Sequence, residues 1–301
     1  MTRPRVATAL ETISVTVPPE ALDIYEAALA HVCRTVGFFL DDATGLWTVE
    51  GVKDRGADEP ELAAALALAA LASGVAAEPQ RRVTEAEGWL ARTHEAFPEQ
   101  LIGRRFAVRG THLSGPRVAG RLTLVLDAAV AFGSGEHGST RGCLRALERV
   151  AWRRPRRVLD LGTGSGILAM AAATLLHRPV LATDIDPWSV RVARANAASN
   201  GLASRLRVLR ADGWRSRALK GRTFDLVFAN ILARPLTRMA ADLAQQLAPG
   251  GVAILAGLLA RQARWVLAAH RRHGLVLRAM VREGDWATLV LQRPAAGGAG
   301  Q

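Results

Sequence analysis

Residues 156–176 read RRVLDLGTGSGILAMAAATLL: a short apolar run, three glycines at alternate positions, then ten residues of strong helix formers. A run of that length is a buried strand, and the glycines turn the chain tightly into a helix at its end. The same alternation then repeats. Apolar runs RVLDLG, VLATD, RLRVLRA, FDLVFAN and GVAILAG are separated mostly by helical segments of 10 to 15 residues. Parallel strands need such crossovers, and a parallel sheet must be covered on both faces. The end differs, because LVLRAMVREGDWATLVLQR reads as two strands joined at EGD. The sum is a Rossmann-like α/β domain of seven strands whose last two form an antiparallel hairpin.

The glycine turn limits what can bind there. In DLGTGSG the glycines are Gly162, Gly164 and Gly166, whereas a dinucleotide fingerprint needs its third glycine at position 167, which is Ile167. No Gly-Lys-Ser/Thr follows, so a Walker loop is excluded. The next strand ends at Asp184, 22 residues after Gly162, where a carboxylate accepts both hydroxyls of a ribose. The third ends near Asp212, placed to accept from an exocyclic amine. These pieces describe a nucleoside site without a phosphate cradle, which suits S-adenosylmethionine. Asn230 closes the fourth strand, at the carboxyl edge where open sheets bind ligands. Methyl transfer from a sulfonium is an in-line displacement that rests on alignment, and an asparagine oxygen can orient an amine. The following NILA holds no aromatic to stack on a flipped base, so a flexible aliphatic amine is expected.

Upstream, ETISVTVP, a proline-initiated helix, the pair GFFLDD and LWTVEGV, an alanine-rich helix and QRRVTEA give strand-helix-strand-strand-helix-strand. That is the ferredoxin-like α+β order. The expected boundaries are a ferredoxin-like domain over 1–84, a connecting segment over 85–118, the methyltransferase domain over 119–294 and a disordered tail over 295–301. The alanine-rich stretch 62–77 is 16 residues long, short of the ~20 that span a membrane, and is read as a buried helix. Two cysteines, Cys33 and Cys143, build neither a disulfide framework nor a zinc site. No metal is expected, and His270 and His273 are read as cations at a helix C-terminus. Trp89, Trp152, Trp188 and Trp214 are read as packing residues. Net charge is +12, with Lys53 and Lys220 the only lysines. A basic balance admits a nucleic-acid partner or an arginine-rich coding bias.

In combination these motifs resemble the PrmA-type methyltransferases of ribosomal protein L11. AFGSGEHGST (131–140) is similar to that family's AFGTGTHPTT, DLGTGSGILA to its glycine turn, and ANILARPL to its ANILAGPL. DIDPWSVRVARANAASNG, AGLLARQARWV and EGDWATLVLQR have counterparts as well. The resemblance implies a class I methyltransferase domain behind a ferredoxin-like substrate-recognition domain, with trimethylation of lysine side chains and the N-terminal amine of ribosomal protein L11. It carries cofactor contacts onto Thr140, Gly162, Asp184 and Asn230; Gly164 and Asp212 are added from the residue reading, and Asn230 is the expected catalytic residue. AFGSGEHGST is then a lid over the methionyl end of the cofactor, with Phe132 packing on the ligand, Glu136 facing solvent and the role of His137 open. Glu136, Gly138 and Arg234 depart from the family pattern. A cytoplasmic monomer with no membrane and no required stable nucleic-acid contact is expected. The alternatives are a lysine methyltransferase for another protein, and a non-catalytic ribosome-assembly or RNA-binding protein that keeps the fold.

Overall fold

The computed structural model describes residues 10–33, 35–41, 44–84, 99–111, 113–126 and 138–295. The chain divides into two compact units, Met1–Thr93 and His94–Gln301.

The first unit holds β1 (Leu10–Val17), α1 (Leu22–Val32), β2 (Thr35–Asp41), β3 (Leu46–Asp54), α2 (Glu59–Ser73) and β4 (Gln80–Thr84). Its sheet runs β2-β3-β1-β4 with every pair antiparallel, the ferredoxin-like order that the sequence pattern predicts. α1 buries Leu22, Tyr25 and Leu29, and the Tyr25 hydroxyl donates to Val75 O at 2.6 Å and accepts from Ala77 N at 3.1 Å. At the other end Lys53 is buried in an ionic cluster. Its ammonium lies 2.9 Å from Glu11 Oε1 and 2.6 Å from Glu59 Oε1, and it also donates to Ala57 O. Burial works against that charge, but the hydrogen bonds to Glu59 and Glu11 outweigh it and raise the lysine pKa. α2 corrects the expectation of a buried helix: Leu62, Ala65 and Ala69 face the core, while Leu68 and Leu71 are 66% and 83% exposed.

The second unit opens with a small sheet of β5 (Gln100–Ile102), β6 (Phe106–Gly110) and β7 (Leu122–Leu126). There follow α3 (Gly138–Val150), β8 (Val158–Leu161), α4 (Ile167–Leu176), β9 (Val180–Asp184), α5 (Pro187–Ser199), β10 (Leu206–Arg210) and β11 (Phe224–Asn230). The chain continues through α6 (Ala233–Arg238), α7 (Ala240–Gln246), β12 (Leu247–Leu259), α8 (Ala263–Arg271), β13 (Val276–Glu283) and β14 (Trp286–Gln292). The large sheet runs β10-β9-β8-β11-β12-β14-β13, with β14 antiparallel to both neighbours. The seven strands and the closing hairpin are those expected. Alternate residues feed two cores: Val158, Val180, Ala182, Ile254 and α3–α5 on one face, Leu159, Leu181, Leu255 and α6–α8 on the other. Chain order reverses between β8 and β11, which opens a crevice at their carboxyl ends.

Two close approaches position the elements around that crevice. Ile231, just past β11, is wedged between glycines. A Cβ on Gly162 would meet Ile231 Cγ2 at 2.4 Å, and one on Gly257 would meet Ile231 O at 2.5 Å. α3 lies against the closing hairpin just as tightly, because Cβ atoms on Gly138 and Gly142 would meet Glu283 O at 2.7 Å and Thr288 Oγ1 at 2.2 Å. Arg145 and Arg141 fasten it there, at 2.8 and 3.4 Å from Glu283.

His270 is not a surface cation. It is fully buried in α8, its Nδ1 lies 2.8 Å from Val266 O, and burial lowers its pKa. Trp214 packs as expected, whereas Trp152 and Trp188 are exposed and carry Arg153 and Arg191 on their rings; Trp89 lies outside the described residues. Cys33 and Cys143 are free and buried. Among the described residues no helix is long and apolar enough to cross a membrane, and no His, Cys, Asp and Glu cluster could hold a metal.

Gly257 has φ +78° and faces backbone atoms that cannot move independently. Gly257→Ala is expected to cost on the order of 3 kcal/mol from strain and overpacking, lowering the melting temperature by roughly 6–12 °C in a calorimetric scan.

Candidate active site at the carboxyl edge of the large sheet

The glycine turn after β8 is held by its neighbour strand. Gly162 N and Thr163 N both donate to Thr183 O, at 2.8 and 2.9 Å. Gly162, Gly164 and Gly166 all take positive φ, which side chains disfavour. Gly166 also abuts α5, since a Cβ there would lie 3.1 Å from Ala193 Cβ. The turn therefore presents bare backbone to the crevice, without room for side chains.

Asp184 ends β9 beside this turn. Its Oδ2 accepts from Gly164 N at 2.8 Å and its Oδ1 from Asp186 N at 3.0 Å. One amide on each oxygen leaves further lone pairs on both, so the carboxylate can still accept from a pair of hydroxyls. Two residues on, Asp186 caps α5, accepting from Trp188 N at 3.0 Å and Ser189 N at 2.9 Å. Burial opposes the charge of Asp186, but those amides outweigh it and lower the pKa.

Asp160 lies fully buried at the root of the turn. Its Oδ2 accepts from Thr163 Oγ1 at 2.6 Å and Ala169 N at 3.1 Å, while Oδ1 has no partner among the described residues. Burial pushes its pKa up to about 7 against those two hydrogen bonds, and the charge of Asp184 adds to the rise. A half-satisfied buried carboxyl is costly for the protein alone, and a cation in the crevice would relieve it.

Across the crevice, Asn230 and Thr140 meet although 90 residues separate them. Thr140 is wholly buried in the first turn of α3, and Asn230 Nδ2 donates to its Oγ1 at 3.4 Å. That contact engages the nitrogen end of the amide and leaves the carbonyl oxygen as its acceptor. Asp212 follows β10 at the same edge but is 62% exposed, with Arg215 3.5 Å away. Phe132, Glu136 and His137 lie outside the described residues.

The structure thus brings Thr140 to Asn230 and Gly164 to Asp184, and sets Gly162 against the residue after Asn230. The open oxygen of Asp160 has no signal in the sequence, whereas the role of Gly257 does, since a glycine ending the strand GVAILAG is a sign of close approach. The donor set fits a ligand with a vicinal diol and positive charge, as S-adenosylmethionine has. Among the described residues nothing in it resembles a phosphate cradle.

The chain is similar to known proteins over most of its length. A curated ribosomal protein L11 methyltransferase of Bradyrhizobium diazoefficiens is 46% identical over 211 residues, 69% of this chain and 71% of that one. The one from Rhodopseudomonas palustris is 44% identical over 280 residues, covering 89% and 94%. A crystal structure of a ribosomal protein L11 methylase from Lactobacillus delbrueckii subsp. bulgaricus superposes with a TM-score of 0.59 at 31% identity, covering 65% of this chain and 98% of that one. The model of the family described as ribosomal protein L11 methyltransferase (PrmA) matches residues 43–294, so the chain belongs to that methyltransferase family.

Proposed function

We propose that the protein methylates amines of ribosomal protein L11, both lysine side chains and the N-terminal amine, in the cytoplasm and as a monomer. Residues 1–84 serve as its substrate-recognition domain. The observation that carries the chemistry is Asn230, set at the carboxyl end of a central strand with its nitrogen engaged by Thr140 and its carbonyl oxygen left to accept.

S-adenosylmethionine supplies an electrophilic methyl on a sulfonium. Asp184 would hold the ribose hydroxyls, the amides of the glycine turn would line the nucleoside, and Asp160 Oδ1 would face positive charge. Asp212, Phe132 and Thr140 complete the proposed contacts. Asn230 Oδ1 accepts a hydrogen bond from the incoming amine and so points its lone pair inward. A lysine ammonium has no lone pair, and its ordinary pKa is about 10.4; a nearby cation and burial lower that value, and water takes the proton. Pairing orientation with a fixed donor is worth far more than acid–base assistance in a displacement of this kind. The chain after Asn230 suits a methylene stem, because Leu232 is exposed there and no ring is present to demand a planar substrate.

Purified protein with S-adenosylmethionine and free ribosomal protein L11 is expected to add mass in steps of one methyl group to the latter, read by intact-mass spectrometry. If a lysate labels a different protein and L11 stays unmodified, the substrate assignment is wrong. Asn230→Ala should lower turnover about 100-fold or more through lost alignment and change cofactor affinity by less than about threefold. Equal losses in both would remove its positioning role.

Asp160 gives a pH signature. Its folded-state pKa is raised to about 7, above the ~3.9 of an unfolded chain. Its contribution to the ligand-free protein is therefore fully present below about pH 4 and is lost as pH rises through 7. Asp160→Asn keeps the shape without the charge. The melting temperature of the variant relative to wild type should climb between pH 4 and 8, while its affinity for the cationic methyl donor falls. A difference in melting temperature that stays flat with pH would contradict the buried, half-satisfied carboxyl.

A further inference from the structure

The opposite edge of the same sheet is basic. β8, β9, β10 and β11 are parallel, so all four begin on one edge. The segment entering each is basic: RRPRR before β8, HRP before β9, SRLR across the start of β10 and LKGR before β11. Within residues 150–158, 177–181, 203–208 and 219–225 the single acid is Asp225.

That acid is already occupied. Asp225 Oδ1 takes Arg157 Nη2 at 3.0 Å, and its Oδ2 accepts the backbone amides of Arg156 and Arg157, both at 2.9 Å. Thr223 Oγ1 accepts from the second nitrogen of Arg157 at 2.7 Å. Arg157 is thereby fixed in place. Arg156, Arg207 and Arg222 line the same open groove, are exposed, and have no ion-pair partner among the described residues.

We propose that this groove binds the phosphate backbone of RNA. From β10 to β11 lie three inter-strand spacings, about 14 Å, so the arginines form a row that suits successive phosphates better than one small anion. Guanidinium groups match phosphate oxygens two at a time. Trp152, four residues before Arg156, is 73% exposed, with the Arg153 guanidinium 4.9 Å from its ring centroid. An exposed ring among arginines is a platform on which an unpaired base can stack. A lipid surface would ask for a broad apolar face, and the segment before β8 offers Trp152 alone. The contact is electrostatic, weak and sensitive to salt. It leaves the carboxyl edge free, so the protein can rest on RNA with its catalytic crevice open.

Fluorescence anisotropy of a labelled single-stranded RNA of about 20 nucleotides and mixed sequence, titrated with the full chain, tests this. Wild type should bind with a micromolar dissociation constant at about 50 mM salt and weaken steeply by about 200 mM. Arg156→Glu with Arg207→Glu and Arg222→Glu should weaken binding more than about tenfold and flatten the salt dependence by two to three units. Trp152→Ala should cost about fivefold or more. Reversal of Arg104, Arg264 and Arg282, exposed arginines outside the groove, should cost less than about threefold, which separates site from net charge. Methylation of free protein substrate should be unchanged in every variant, reporting an intact fold; if the triple variant fails to fold, Arg222→Glu alone carries the comparison. Equal losses from groove and control reversals would overturn the proposal. So would displacement of the RNA by polyglutamate or phosphatidylserine vesicles at equal charge concentration.

Discussion

Ile231 is the wedge on which the catalytic edge depends. Its side chain fills the space a Cβ would need on Gly162, and its backbone fills the space over Gly257. The ends of β8, β11 and β12 are thereby locked at a separation that tolerates no extra carbon atom. Asn230 is the preceding residue, so its place relative to the glycine turn follows from that contact. From the other side, glycines in α3 bring the helix against the closing hairpin, which delivers Thr140 to the same amide. The Asn230–Thr140 contact is therefore the meeting point of two close approaches, each made possible by missing side chains.

Electrostatics follows the same topology. Parallel strands sort their flanking residues by direction, so whatever ends a strand gathers on one edge and whatever begins it gathers on the other. Asp184 ends β9, Asp160 lies near the end of β8 and Asp186 follows β9, where a cationic cofactor would sit. Arginines begin the parallel strands. Part of the chain's net positive charge is therefore gathered at the edge away from the crevice.

The strand-helix alternation, the hairpin and the glycine turn were legible because each rests on local periodicity or on residues with special backbone freedom. Asp184 and Asn230 were legible for a related reason, since a residue at the end of a parallel strand has its location set by topology. Asp160 stands in the legible motif DLGTGSG, but its significance lies in a hydrogen bond that fails to form, which no spacing encodes. His270 looked like a helix-terminal cation because AAHRRHG reads as a helix end, yet the helical phase turns its ring into the core. α2 misled in the opposite sense: nearly uniform apolarity suggested burial, and only the tertiary structure shows that one face is covered.

The ionic cluster of the first unit has a bearing on self-modification. If lysine amines are the acceptors, as proposed, each lysine of the chain itself is a competing acceptor. This chain carries two. Lys53 has its ammonium sealed between Glu11 and Glu59, with a raised pKa and no lone pair to offer. Lys220 is exposed, but it stands at the entry to β11, the far end of the strand that leads to Asn230. Using arginine for nearly all of its positive charge leaves the protein few side-chain amines to compete in the reaction proposed for it.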